Sequence, residues 1–181
     1  MRGSTARRPD QSQVTTIRRL AVVNRGEAAM RCLSAVAELN HESSEQIETI
    51  ALCTEPDLMS WFAREATEAV SLGAATFTDD DGNRESSYLD LDRVMATLAQ
   101  ARADAVWVGW GFAAESAEFA ERCERAGITF VGPPSGVIRL LGNKVSAKQL
   151  AEKAGVPVVP WSGGPVNDAH SATAAALRTT E

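Results

Sequence analysis

From residue 18 onward, short apolar runs alternate with stretches whose apolar residues recur every three or four positions. Residues 18–23 form a continuous run suited to a buried strand. Ala29, Cys32, Leu33 and Val36 then mark one face of a helix over 26–39. After the polar loop HESSEQ, residues 48–53 (ETIALC) predict a second strand. Trp61 and Phe62 centre a short helix over 58–68, and residues 69–72 predict a third strand. The stretch TDDDGNRESS (78–87) is expected to be a solvated loop, since its acids lack the spacing and the bidentate glutamate of an EF-hand. Leu91, Val94, Met95 and Leu98 mark a helix, and 104–108 (DAVWV) a fourth strand. Phe119, Ala120, Cys123 and Ala126 mark the next helix, which Gly127 closes, and 128–131 predict a fifth strand. Short helices over 134–141 and 144–154 end at Gly142 and Gly155. This alternation predicts an α/β, Rossmann-like three-layer domain. About five mainly parallel strands carry helices on both faces, with the first strand central.

Composition narrows the setting. The chain has 181 residues, 44% apolar and 23% charged, with a net charge of −6, which excludes a surface built as a whole for nucleic acid or anionic membrane. No apolar run approaches the roughly 18 residues of a membrane span. Cys32, Cys53 and Cys123 stand singly in apolar segments, as buried thiols of a reducing, cytoplasmic setting do, rather than as a disulfide frame or a zinc site. Residues 1–16 are arginine-bearing and polar with little to bury, and are expected to be a disordered tail. Residues 165–181, rich in alanine and threonine, are not placed in the sheet by their pattern.

In a parallel sheet, ligands collect beyond the carboxyl ends of the strands, where helix N-termini point. Three turns fall there. In the first, Asn24-Arg25-Gly26-Glu27, Asn24 is expected to cap the helix with Glu27 completing a capping box, and Gly26 permits a sharp turn. Arg25 is left over, because a cation at a helix start opposes the macrodipole; a structural ion pair and a functional role both account for it. The second, GWGFAAE (109–115), follows the fourth strand and is expected to open a helix. It formally fits G-x-G-x-x-A but lacks the acid about 20 residues on that holds a ribose, and two glycines around Trp110 suggest a close-packed loop. In the third, Asn143 caps a helix that begins with Lys144. A lysine there sits against the dipole unless it shares an anion with the helix. No G-x-x-x-x-G-K-[ST] element is present, so this is not a P-loop.

Together, VVNRGEAAMR, VGWGFAAESAEFAE and ITFVGPPSGVIRLLGNKVSAKQLAEKAGVPVVPWSG resemble the N-terminal domain of biotin carboxylase, the ATP-dependent component of biotin-dependent carboxylases. Gly-Trp-Gly and Pro-Trp-Ser-Gly lean towards the large acyl-CoA carboxylases; pyruvate and urea carboxylases share the module. The resemblance implies that ATP and Mg²⁺ activate bicarbonate as carboxyphosphate, and that CO₂ then passes to biotin. It makes Lys144 a contact for ATP phosphate, puts Trp110 and Gly111 on the biotin pocket, and marks Asn24, Arg25, Gly26 and Glu27 as a structural or functional turn. Asn143 stands where the family usually has aspartate. No residue of this chain is expected to be catalytic or to bind metal.

The resemblance also implies a division: a Rossmann-like body over 17–142, then a helix and connection over 143–164 leading towards an ATP-grasp domain. That domain, a biotin carboxyl carrier domain and a carboxyltransferase are the implied partners, with a homo-oligomer in the full enzyme and neither nucleic acid nor membrane involved. The family's lid and metal-binding carboxylates lie beyond the stretch matched here, so these 181 residues alone are expected to be inactive. The alternatives are the N-terminal domain of another ATP-grasp ligase and a non-catalytic nucleotide-binding or assembly module.

Overall fold

The computed structural model describes residues 16–111 and 113–178. The expected tail therefore lies outside the described residues, apart from Thr16. A five-stranded sheet runs through the body, built from β1 (Arg19–Val22), β2 (Glu48–Cys53), β3 (Glu68–Ser71), β6 (Ala105–Trp107) and β7 (Thr129–Phe130). Its order is β3-β2-β1-β6-β7, every pairing is parallel, and β1 is central, as the alternating pattern predicts. The helices are α1 (Gly26–Glu42), α2 (Trp61–Glu65), α3 (Leu91–Gln100), α4 (Ala117–Arg125), α5 (Ser135–Gly142), α6 (Lys144–Lys153) and α7 (Ala169–Arg178).

The continuous apolar run of β1 has a simple cause: both of its faces are covered. Leu20 and Val22 point to one cluster with Ala29, Cys32, Leu33 and Val36 of α1 and Phe62 of α2. Ala21 and Val23 point to the other, with Val94 and Leu98 of α3 and Phe119 and Cys123 of α4. A strand read alternately by two helix layers needs an apolar residue at every position.

Three expectations change. The stretch 78–87 contributes to a hairpin rather than a plain loop: β4 (Thr76–Thr78) pairs antiparallel with β5 (Arg84–Ser86). Its turn closes on Asp79, whose carboxylate accepts from the N–H groups of Asp81 (3.1 Å) and Asn83 (2.7 Å) and from the Asn83 amide. The helix expected over 58–68 contracts to Trp61–Glu65, because Thr67 leaves it to exchange bonds with β2. Each threonine's N–H donates to the other's Oγ1, at 3.1 Å. Finally, the C-terminal segment holds a helix, α7, opened by the Asp168 carboxylate accepting from the Ser171 N–H at 2.7 Å.

The helices α5 and α6 stand apart from the core. Ser135 and Ile138 are the buried residues of α5, and α6 buries none, so Leu140, Leu141 and Leu150 remain exposed. This contrast sets an expected pair of outcomes in urea unfolding. Leu98→Ala, at a fully buried site, costs about 3 kcal/mol. Leu141→Ala, half-exposed on α5, stays within about 0.5 kcal/mol of the parent.

Candidate functional site at the carboxyl ends of the strands

Strand β1 ends at Val22, and its pairing with β6 continues one step further: the Val23 N–H donates to the Trp107 carbonyl at 2.9 Å. At the next residue a side chain takes over from the backbone. Asn24 is buried, and its Nδ2 donates to two carbonyls of the second turn, Val108 at 2.8 Å and Trp110 at 2.9 Å. Its Oδ1 accepts from the Arg25 N–H at 2.8 Å. All three polar groups of the amide are thereby used within the protein, as a buried amide requires.

The expected capping box is therefore not formed. The N-cap position of α1 falls on Arg25, which makes no side-chain cap bond. Glu27 turns instead to Arg31 one helical turn on, a 2.6 Å ion pair with both partners largely exposed. The reason is orientation: two carbonyls of the turn after β6 hold the Asn24 Nδ2, and Oδ1 then faces the Arg25 N–H instead of the first helical N–H groups. Gly26 adopts φ +58°, which a β-carbon would strain.

Arg25 finds its anion across the turn. Its guanidinium donates to Asp57 Oδ1 at 2.8 Å, and Thr54 Oγ1 donates to Oδ2 of the same carboxylate at 3.1 Å. Asp57 is largely buried just past β2, so Arg25 has an ion-pair partner where the helix dipole opposes it. Tyr88 closes the same corner, its hydroxyl donating to the Leu52 carbonyl at 2.9 Å. Burial first, and the neighbouring Asp57 charge second, raise the Tyr88 phenol well above its ordinary range. Arg25, Thr54, Asp57 and Tyr88 border a cleft of about 80 Å³. Asp57 escaped the sequence reading, although the unpaired Arg25 called for an acid at the end of a neighbouring strand.

The second turn does not open a helix. Its chain winds through turns until Ser116, whose Oγ accepts from the Phe119 N–H at 3.1 Å and starts α4 at Ala117. Gly109 and Gly111 both have left-handed backbone, φ +60° and +77°. At Gly109 a β-carbon would also come within 2.4 Å of the Trp107 ring. The loop thus presents Trp110 outward: its side chain is 57% exposed and meets Trp107 edge-on, ring centroids 6.5 Å apart. An exposed indole above two left-handed glycines is not a core aromatic.

The third turn matches its expected cap. Asn143 Oδ1 accepts from the N–H groups of Val145 and Ser146, both at 3.0 Å, so two first-turn donors are already taken. What remains for an anion is the exposed Lys144 side chain, which forms no ion pair among the described residues. The structure joins the first two turns through Asn24, whereas no hydrogen bond links either of them to Lys144 among the described residues. The buried thiols are inert by environment: burial pushes Cys32 up to about 11, and burial with the Glu124 charge pushes Cys123 up to about 12. A larger hollow of about 430 Å³, lined by Ile17, Arg19, Glu45 and Glu48 among others, lies at the opposite, amino end of β1 and β2, away from all three turns.

The sequence matches the biotin carboxylase N-terminal domain over residues 16–138. The chain belongs to that family. Biotin carboxylase of Pseudomonas aeruginosa is 41% identical over 162 residues, which are 90% of this chain and 33% of that protein. Pyruvate carboxylase of Bacillus subtilis is 38% identical over 150 residues, 83% of this chain and 12% of that one. Among solved structures, the biotin carboxylase domain dimer of Hydrogenobacter thermophilus 2-oxoglutarate carboxylase, in complex with MgADP, ADP and bicarbonate, aligns with a TM-score of 0.77 at 34% identity. That alignment covers 91% of this chain and 33% of the other. Biotin carboxylase of Campylobacter jejuni in complex with β,γ-ATP gives 0.77 at 30% identity, covering 90% and 34%. The chain thus spans about a third of the curated biotin carboxylases it matches. Among the described residues no helix is long and apolar enough to cross a membrane.

One carboxylate, unforeseen in the sequence, holds the base of the third turn in place. Helix α5 follows Pro134, which offers no side-chain cap; Glu124 of α4 supplies it from outside, accepting from Ser135 N–H (2.8 Å) and Oγ–H (2.7 Å). These two bonds, the backbone one first, hold the Glu124 carboxyl below its ordinary value of 4.5. A depressed folded-state value means stabilisation that is present above pH 4.5 and is lost as pH falls through the lower folded value. Glu124→Gln is therefore expected to be less stable than the parent at neutral pH. Urea midpoints measured down a pH series should converge below pH 4.5; a gap that stays constant would contradict the assignment.

Proposed function

We propose that this chain forms the N-terminal part of the biotin carboxylase component of a biotin-dependent acyl-CoA carboxylase, contributing to the ATP and biotin sites for ATP- and bicarbonate-dependent carboxylation of biotin. The observation that carries this reading is the junction of the NRGE turn and the Gly-Trp-Gly loop at one end of a sheet of this family. ATP, with Mg²⁺ on its phosphates, supplies the driving force for the carboxylation. Among the described residues no three His, Cys, Asp or Glu side chains gather. Magnesium would accordingly be held by an ATP-grasp domain, to which we read 143–164 as the connection and 17–142 as the docking body.

Within this chain, Lys144 fits a phosphate: it is exposed, uncompensated by an acid and set at a helix start where the dipole favours an anion. Trp110 and Gly111 fit one wall of the biotin cleft, a flat indole face and a glycine without side chain beside it. The acyl-CoA acceptor is supported by Gly-Trp-Gly and by Pro160-Trp161-Ser162-Gly163. Carrier and carboxyltransferase partners, and a homo-oligomer, follow from the same reading. A cytoplasmic setting accords with three free, buried thiols.

Two outcomes test this. The 181 residues alone release no phosphate from ATP in a bicarbonate- and biotin-dependent manner; release above a heat-killed control would contradict it. When the segment is joined to its ATP-grasp domain, Lys144→Gln lowers kcat/KM for ATP tens-fold, about 2 kcal/mol for a charge-assisted bond lost in the transition state. A parallel urea melt should move by no more than about 0.5 kcal/mol, as for an exposed substitution. Unchanged ATP kinetics would remove Lys144 from the phosphate site.

A further inference from the structure

The Asn24 amide joins two segments that are 84 residues apart in sequence, and it does so at an unusual place. The carbonyls of Val108 and Trp110 flank Gly109, and in a regular strand alternate carbonyls such as these would point the same way and meet two successive partners. Here both converge on one NH₂ group, at 2.8 and 2.9 Å, because the left-handed Gly109 bends the chain between them. The neighbouring Trp107 ring fills the space that a β-carbon at Gly109 would need, so the bend calls for glycine on two counts. Trp110 projects from the summit of this bend, half out of the protein.

We infer that Asn24 is a positioning residue: its buried amide clamps the Val108 and Trp110 carbonyls and so fixes the height and orientation at which Trp110 and Gly111 meet the biotin ring. The inference rests on the reading that these two residues line the biotin cleft. Asn24 itself is buried, so it acts through the loop. Two features of the site exclude easy substitutes. Only an amide offers two hydrogens on one atom together with an acceptor for the Arg25 N–H, and only a side chain of this length spans from the end of β1 to both carbonyls. Aspartate has the same shape but would set a carboxylate against two carbonyl oxygens.

The test uses the enzyme in which this segment is joined to its ATP-grasp domain, with free biotin as the varied substrate. Asn24→Asp is expected to raise KM for biotin about tenfold, the effect of leaving two buried acceptors without a donor. KM for ATP should move by less than about twofold, since Lys144 lies on a separate turn. Asn24→Ser, which keeps an acceptor for Arg25 but cannot hold both carbonyls, serves if the aspartate variant folds poorly. The decisive comparison is with Trp110→Ala. If Asn24 works through the loop, its substitution in the Trp110→Ala background adds less than about a further twofold. Biotin kinetics unchanged in the Asn24 variants while Trp110→Ala is impaired would overturn the positioning role, as would effects that multiply. Trp110→Ala with unaltered biotin kinetics would overturn the biotin-cleft reading and the inference with it. Loss of folding in both Asn24 variants, seen by circular dichroism, would make Asn24 a stability residue only.

Discussion

A strand buried on both faces cannot leave a backbone donor or acceptor unpaired, and the rest of this domain is arranged around β1 meeting that condition. Its residues Ala21 and Val22, and Val23 just beyond, are wholly inaccessible, so water offers no alternative partner. Parallel neighbours on either side, β2 and β6, supply the bonds. Where the β1 backbone begins, the Asp104 carboxylate accepts from the Arg18 and Arg19 N–H groups. Where it ends, Asn24 takes up two carbonyls of the second turn. The two polar caps of β1 thus come from opposite directions: a side chain of the β6 segment closes one end, and a side chain of the β1 segment closes the other.

The amino edge of the sheet is tied by one residue. Arg19 pairs with Glu48 at the start of β2 and with Glu68 at the start of β3, and its guanidinium also donates to the Ala101 carbonyl after α3. Its donors therefore join three segments around β1. These acidic partners, the Glu68 hydrogen bond first, hold the Arg19 guanidinium even more firmly protonated than usual. Charge alone fastens the edge remote from the turns, whereas at the turn edge the buried, uncharged bonds of Asn24 stand beside the Arg25–Asp57 ion pair.

The parallel sheet and its central strand were legible because burial on two faces writes itself into every position of residues 20–23 and 50–53. Asn143 was legible as a cap because its partners lie two and three residues away. Asn24 was misread for the converse reason. Asn-x-x-Glu looks locally like a capping box, and no local pattern shows that a carbonyl pair far along the chain competes for the amide. The hairpin of β4 and β5 was hidden because its strands have three residues each and little apolar content. The Gly-Trp-Gly segment was read as a helix start because Ala113, Ala114 and Glu115 favour helix, whereas the cap that decides the matter is Ser116. Arg25 alone carried a usable warning: a cation misplaced against a helix dipole implies an acid nearby, and Asp57 is that acid.

The strand order has a consequence for how the chain is made. Strands β1, β2 and β3 lie next to one another in both sequence and space, so half the sheet can assemble as soon as residue 71 has left the ribosome. The other side of β1 stays open until Ala105–Trp107 follows, and a central strand with one bare edge is an invitation to the wrong neighbour. In that interval the two carbonyls that Asn24 holds in the folded domain have not yet been made. The last link at the end of β1 therefore waits for a loop synthesised more than eighty residues later.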